Sequence, residues 1–112
     1  MQKIILNFGE IKIKAELFDT IIAGKFYRSL PYSVELTHWG QEMYGSIGID
    51  LGTEKPVAQI PAGGLAYTNK GNYLCIFYGQ EPAWPVELIG KLTGNWENLL
   101  SRDFINVTIT KS

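Results

Sequence analysis

Three groups of residues in this 112-residue chain have types that carry chemistry. The single histidine, His38, lies between Glu35 and Glu42. An imidazole with two carboxylates can hold a metal ion or pass a proton, but at these spacings only a turn would gather the three. The ordinary reading is a surface histidine beside a turn. Ser33 or Ser46 would begin a hydrolytic triad with His38, yet neither sits in a nucleophile elbow. Cys75, the only cysteine, lies inside the apolar run Tyr73 to Tyr78. It reads as a buried small hydrophobe rather than a nucleophile, and it forbids an internal disulfide. Gly63-Gly64 and Gly71 have no Walker pattern and no helix after them, so turn geometry accounts for them better than phosphate binding does.

The aromatic residues are the stronger candidates. Trp39, Tyr44, Tyr67, Tyr73, Phe77, Tyr78 and Trp84 gather between positions 39 and 84, mostly at strand ends and loops. Some must fill the core. A subset lining a concave groove, with Asn69 and Gln80 as polar groups, would take an apolar or proline-containing guest. Trp39 and Trp84 stand in turns, which favours their exposure.

Composition narrows the classes. A formal net charge of -1, with ten scattered Lys and Arg, provides no basic field, which argues against nucleic acid as a partner. No apolar run approaches a membrane span or a signal-peptide core, so a cytoplasmic location with no membrane partner is expected. The length suits a single domain over residues 1–112 that folds without metal or disulfide.

The elements that must position these residues are short. Lys3 to Phe8 and Ile11 to Leu17 read as a hairpin, the second strand alternating apolar and polar. Asp19 is placed to cap a helix of about ten residues, with Ile22, Phe26 and Leu30 on one face and Pro31 as its stop. Strands are expected at Tyr32 to His38, Met43 to Ile49, Pro56 to Ile60, Leu65 to Thr68, Tyr73 to Tyr78, Val86 to Leu92 and Phe104 to Thr110. A short helix, Trp96 to Ser101, is capped by Asn95, with Trp96, Leu99 and Leu100 facing inward. Tyr73 to Tyr78, the most apolar segment, organises the core. Many short strands at this spacing indicate a barrel or sandwich.

Several local patterns resemble cyclophilins. Glu16-Leu17-Phe18 followed by a capped helix with Phe26 and Arg28 resembles that family's opening. Gly63 to Asn69 is similar to its "G-G-I-L-S-M-A-N" stretch, and Ile89-Gly90-Lys91-Leu92 to its "F-G-K-V". A closer resemblance is to a small group of uncharacterised prokaryotic proteins with a minimal cyclophilin-like barrel. It is carried by Pro61 to Tyr67, Gly71 to Pro82 and Trp39 to Tyr44. The resemblance implies a mainly β fold: a closed eight-stranded cyclophilin-like barrel with one flanking α-helix and one short helix.

Prolyl isomerisation in cyclophilins uses an arginine that polarises the amide of the twisting bond. The matching region here, Ser33 to Ile49, contains no arginine. By the same resemblance Asn69 matches a groove asparagine, Tyr73 and Cys75 fall at a groove glutamine and a proline-pocket phenylalanine, Trp84 resembles the groove tryptophan, and the groove histidine falls on Val86. The register of Tyr73 to Tyr78 leaves open which side chains face the groove. The expectation is a domain that binds a small molecule or extended peptide, without metal or cofactor, through Trp39, Tyr44, Asn69, Tyr73 and Trp84. A weak peptidyl-prolyl isomerase and a structural subunit whose aromatic face forms a homodimer are the alternatives.

Overall fold

The computed structural model describes residues 1–77, 81–99 and 103–112, apart from the Phe77 side chain. Tyr78, Gly79, Gln80, Leu100 and Ser101, which enter the expectations above, lie outside the described residues, as does Arg102.

β1 (Gln2–Asn7) and β2 (Lys12–Leu17) form the antiparallel hairpin, with Ile4 opposite Ala15 and Leu6 opposite Ile13. The alternation of β2 sets its faces: Ile13, Ala15 and Leu17 are buried, while Lys12 and Lys14 are exposed. Gly9 makes the turn at φ 97°, and its amide donates to Asn7 Oδ1 at 2.9 Å.

The helix α1 (Ile21–Arg28) buries Ile22, Ala23 and Phe26. It has eight residues rather than about ten, and its cap is Thr20, not Asp19. Thr20 Oγ1 accepts from the Ala23 amide at 3.1 Å, while Asp19 is exposed 3.9 Å from the N-terminal ammonium. A second acceptor arrives from far along the chain. Glu54 Oε1 takes the Ile21 amide at 3.1 Å and the Ile22 amide at 3.4 Å. The first turn's free donors are thus met by a local hydroxyl and a distant carboxylate. The helix stops at Arg28, and the Ser29 and Leu30 amides bond back to Phe26 and Tyr27 ahead of a cis Leu30–Pro31 bond.

The strand expected at Tyr32 to His38 is divided in two. β3 (Tyr32–Glu35) pairs with β9 (Asn106–Lys111), and β4 (Thr37–His38) pairs with β5 (Glu42–Ser46). Leu36 sits at the bend, its amide donating to Ile105 O at 2.7 Å. β5 pairs with β7 (Tyr73–Phe77), β7 with β6 (Gly64–Thr68), and β6 with β8 (Glu87–Leu92), which returns to β2. The single antiparallel sheet runs β3-β9-β1-β2-β8-β6-β7-β5-β4. Its two end strands are consecutive in the chain, so the bent segment 32–38 brings the ends together into a nearly closed barrel. Among the described residues the barrel has nine strands where eight were expected; taken as one bent strand, residues 32–38 give eight walls. At this seam Gly45 is required by space, because a Cβ there would collide with the Glu35 carbonyl and the Val34 side chain.

Two further expectations change. Pro56 to Ile60 is not a strand; it keeps one bridge, Val57 to Val86, with amide–carbonyl distances of 2.8 and 3.0 Å in the two directions. Of the short helix expected over Trp96 to Ser101, the described part, Trp96–Leu99, is a 3₁₀ turn with Leu99 buried.

The period of two sorts the side chains into two cores. Leu65 and Tyr67 of β6 and Leu74 and Ile76 of β7 enter the barrel with Leu6, Leu17, Phe26, Met43 and Ile89. Ala66 and Cys75 point the other way and join Ile60 and Val86 in a smaller cluster on the barrel's outer face. Among the described residues no helix is long and apolar enough to cross a membrane.

Candidate functional site

The outer face of β5, β7 and β6 carries a concavity of about 340 Å³. Trp39 and Trp84 stand at it 54% and 39% exposed, the first in the turn between β4 and β5, the second in the segment leading into β8. Tyr44 and Tyr73 line it from paired strands, their rings in edge-to-face contact at 5.2 Å. Cys75 and Val86 contribute apolar surface, and Pro82 and Ala83 belong to the same lining. Glu42 and Thr68 add the polar groups, each 6% exposed.

Each wall has a physical support. Trp84 is held by its indole N–H, which donates to Thr68 Oγ1 at 3.1 Å. Lys70 Nζ lies 5.5 Å from the centroid of the same ring, within cation–π range. Tyr73 packs over Gly71, whose φ of 94° a side chain would strain and whose Cβ would strike the tyrosine ring. Burial pushes the Cys75 thiol well above its usual range, and the neighbouring Glu42 carboxylate pushes it the same way. The thiol is thus kept protonated and unreactive, which fits a small hydrophobe beneath the pocket.

Trp39, Tyr44, Tyr73 and Trp84 therefore come together, while Asn69 does not join them. Asn69 lines an adjoining concavity of about 240 Å³ with Thr53, Lys70 and Pro85. The register of β7 puts Tyr73 and Cys75 on the pocket side and Leu74 and Ile76 in the barrel. Tyr67 is a core residue: its hydroxyl accepts from the Leu51 amide at 2.8 Å and lies 2.9 Å from Ile49 O and 3.1 Å from Asn72 Oδ1. Sequence reasoning missed Glu42 and Thr68 as pocket residues. The signal for Glu42 was its place two residues before Tyr44, on the same strand face.

The other constellations fall apart. His38 Nε2 lies 2.8 Å from the Phe104 carbonyl, which makes it the protonated nitrogen, and Nδ1 lies 3.7 Å from Asp103. Glu35 is exposed on β3 and Glu42 is buried on β5, and no group of three or more His, Cys, Asp or Glu suited to a metal occurs among the described residues. No arginine borders the aromatic pocket among the described residues. A larger trough, about 790 Å³, runs between the β1–β2 turn and residues 103–108, with Asn7, Glu10 and Asp103 at its edges.

Fold and site together define a small antiparallel β-barrel with an aromatic pocket on its outer wall. The Cyclophilin-like family model matches residues 2–109, and the chain belongs to that family. It is similar to the solution structure of the hypothetical protein AF2241 from Archaeoglobus fulgidus, with a TM-score of 0.81 and 19% identity over 99% of this chain and 95% of that one. It is also similar to a structure of McbB in complex with tryptophan, with a TM-score of 0.75 and 16% identity over 97% of this chain. The match covers only 44% of the McbB chain. At these identities the likeness concerns the fold alone. No curated protein matches the chain.

Proposed function

We propose that this domain binds a small molecule or a short extended peptide in the outer-wall pocket, with an apolar or aromatic part of the guest between Trp39 and Trp84. The observation that carries this reading is that two partly exposed tryptophans and the Tyr44–Tyr73 pair line one cavity of about 340 Å³. That volume lies within the roughly 300–1,000 Å³ range of small-ligand sites. The tryptophan complex of McbB supports the reading by showing that a structural neighbour holds an aromatic amino acid.

An isomerase reading is less well supported. Twisting a prolyl bond requires an electrophile on the amide to lower a barrier of about 18–20 kcal/mol. No arginine occurs between Ser33 and Ile49, where the cyclophilin resemblance would require it. A protease-coupled assay on X-Pro peptides, with a cyclophilin as positive control, separates the two. The expected result is no rate above background, together with saturable quenching of tryptophan fluorescence by a guest. Acceleration that disappears in Trp84→Ala would establish the isomerase instead. A third arrangement, in which a second copy covers the aromatic face, predicts a dimer by sedimentation that Trp39→Ala dissociates.

A further inference from the structure

We propose that the guest is an amphipathic carboxylate, with its apolar or aromatic body in the outer-wall pocket and its carboxylate group against Lys70 in the adjoining concavity. This deepens the binding reading above and rests on it.

The two concavities form one groove, because Thr68 and Val86 line both. Their chemistry differs. The first is walled by Trp39, Tyr44, Tyr73 and Trp84, while the second brings Thr53, Asn69 and Lys70. Lys70 stands at the junction. Its Nζ lies 5.5 Å from the centroid of the Trp84 ring, a wall of the first concavity, and its side chain lines the second. Thr68 Oγ1 fixes this arrangement by accepting from the Trp84 indole N–H and from the Lys70 amide.

No Asp or Glu among the described residues lies within ion-pair distance of the Lys70 ammonium. Its printed partner is a π face, which attracts the cation but supplies no charged acceptor; a carboxylate supplies one. Glu87 lines the same concavity, but its two oxygens accept from the Glu54 and Lys55 amides at 3.0 and 2.9 Å. Glu42 stands at the far end of the first concavity. It is opposite Phe77 while Thr68 is opposite Tyr73, four residues or about 13 Å away along β7. The groove therefore has a positive group at one end, beside apolar walls, and this sets both the sign and the orientation of the guest. A lysine is a point charge rather than a planar fork, which suits a single carboxylate.

Three probes separate the parts: 3-phenylpropionate, its neutral isostere 3-phenylpropionamide, and acetate, each titrated against tryptophan fluorescence at neutral pH and low salt. Trp39 and Trp84 report on the pocket, while Trp96 packs against Gly63 elsewhere. The expected result is saturable quenching by 3-phenylpropionate about fivefold tighter than by the amide, and none by acetate in the same range. The preference should shrink as sodium chloride is added. Lys70→Met keeps an unbranched stem near Trp84 and removes the charge, and is expected to bring the two affinities together. The salt series on the wild type decides the matter if that variant fails to fold. Equal binding of carboxylate and amide, tighter binding of the amide, quenching by acetate at the same concentrations, or a preference indifferent to salt or to Lys70→Met overturns the proposal. If the amide binds and Trp84→Ala abolishes it, the binding reading survives such a result without the charge assignment. If none of the three probes nor any X-Pro peptide quenches, both fail.

Discussion

The Trp84 indole N–H and the Lys70 amide converge on one atom, Thr68 Oγ1, at 3.1 and 3.2 Å. A single buried hydroxyl at the end of β6 therefore ties the wall of the pocket to the turn between β6 and β7. Trp84→Phe keeps an aromatic ring and removes the donor; Thr68→Val keeps the shape and removes the acceptor. Each is expected to cost about 1 kcal/mol. A double-mutant cycle read by urea denaturation should give a coupling energy of similar size, and additive losses would show that the hydrogen bond contributes nothing.

Glu87 is 5% exposed and holds the loop before β6 in place, one oxygen accepting from the Glu54 amide at 3.0 Å and the other from the Lys55 amide at 2.9 Å. The Glu54 side chain in turn caps α1. Glu87→Ala is expected to lose about 2–3 kcal/mol by equilibrium unfolding, because two amides lose a charged acceptor. Glu54→Ala should lose about 1 kcal/mol, the usual worth of a cap. Amide exchange at Ile21 and Ile22 should accelerate in both variants.

Two glycines separate space from backbone conformation. Gly9 adopts φ 97°, and nothing lies within 4 Å of where a methyl group would stand, so Gly9→Ala meets only the conformational penalty, about 1 kcal/mol. Gly45→Ala meets the Glu35 carbonyl at the barrel seam and is expected to cost more than about 3 kcal/mol or to prevent folding. Thermal melts of the two variants should differ accordingly.

The Cys75 thiol has its pKa raised above the ordinary 9.0 by burial and by Glu42. Below pH 9 the folded and unfolded chains both keep the proton, and stability is unaffected by this group. Above pH 9 the unfolded chain releases a proton that the folded chain retains, so stability falls by up to about 1.4 kcal/mol per pH unit for this site. Tyr32 and Tyr67, raised by burial from 10.0, act in the same direction at higher pH. Urea midpoints between pH 8 and 10 should fall, and Cys75→Ala should flatten the part between 9 and 10. At pH 8 a thiol reagent should leave the native protein unmodified and react on unfolding.

Much of this architecture was legible because a strand with one face in water repeats every two residues, as Ile13, Ala15 and Leu17 do. The buried run from Tyr73 and the helix stripe of Ile22 and Phe26 were equally plain. The bend at Leu36 was not, because the alternation through residues 32–38 continues across it while the hydrogen-bond partner changes from β9 to β5. Adjacent cap candidates such as Asp19 and Thr20 differ in sequence only by position, and the geometry of the first turn chooses between them. At the pocket, the aromatic residues announced themselves by type. Glu42 did not, because a carboxylate on a short strand reads as a solvated side chain until β7 and the segment before β8 are placed around it. Asn69 stands one residue past the end of β6, already in the turn, and lines the adjoining concavity instead.

The seam at residues 32–38 also bears on how the molecule is made. Among the described residues β3 finds its only sheet partner in β9, with Tyr32 opposite Ile109 and Val34 opposite Val107. Until β9 has left the ribosome, β1 and β3 both present unpaired backbone edges, the kind of surface that recruits strands from other chains. Shortening the chain before residue 106 should therefore yield an aggregating product, not a smaller soluble barrel, and the risk of mispairing falls to its native level only once β9 has emerged and docked.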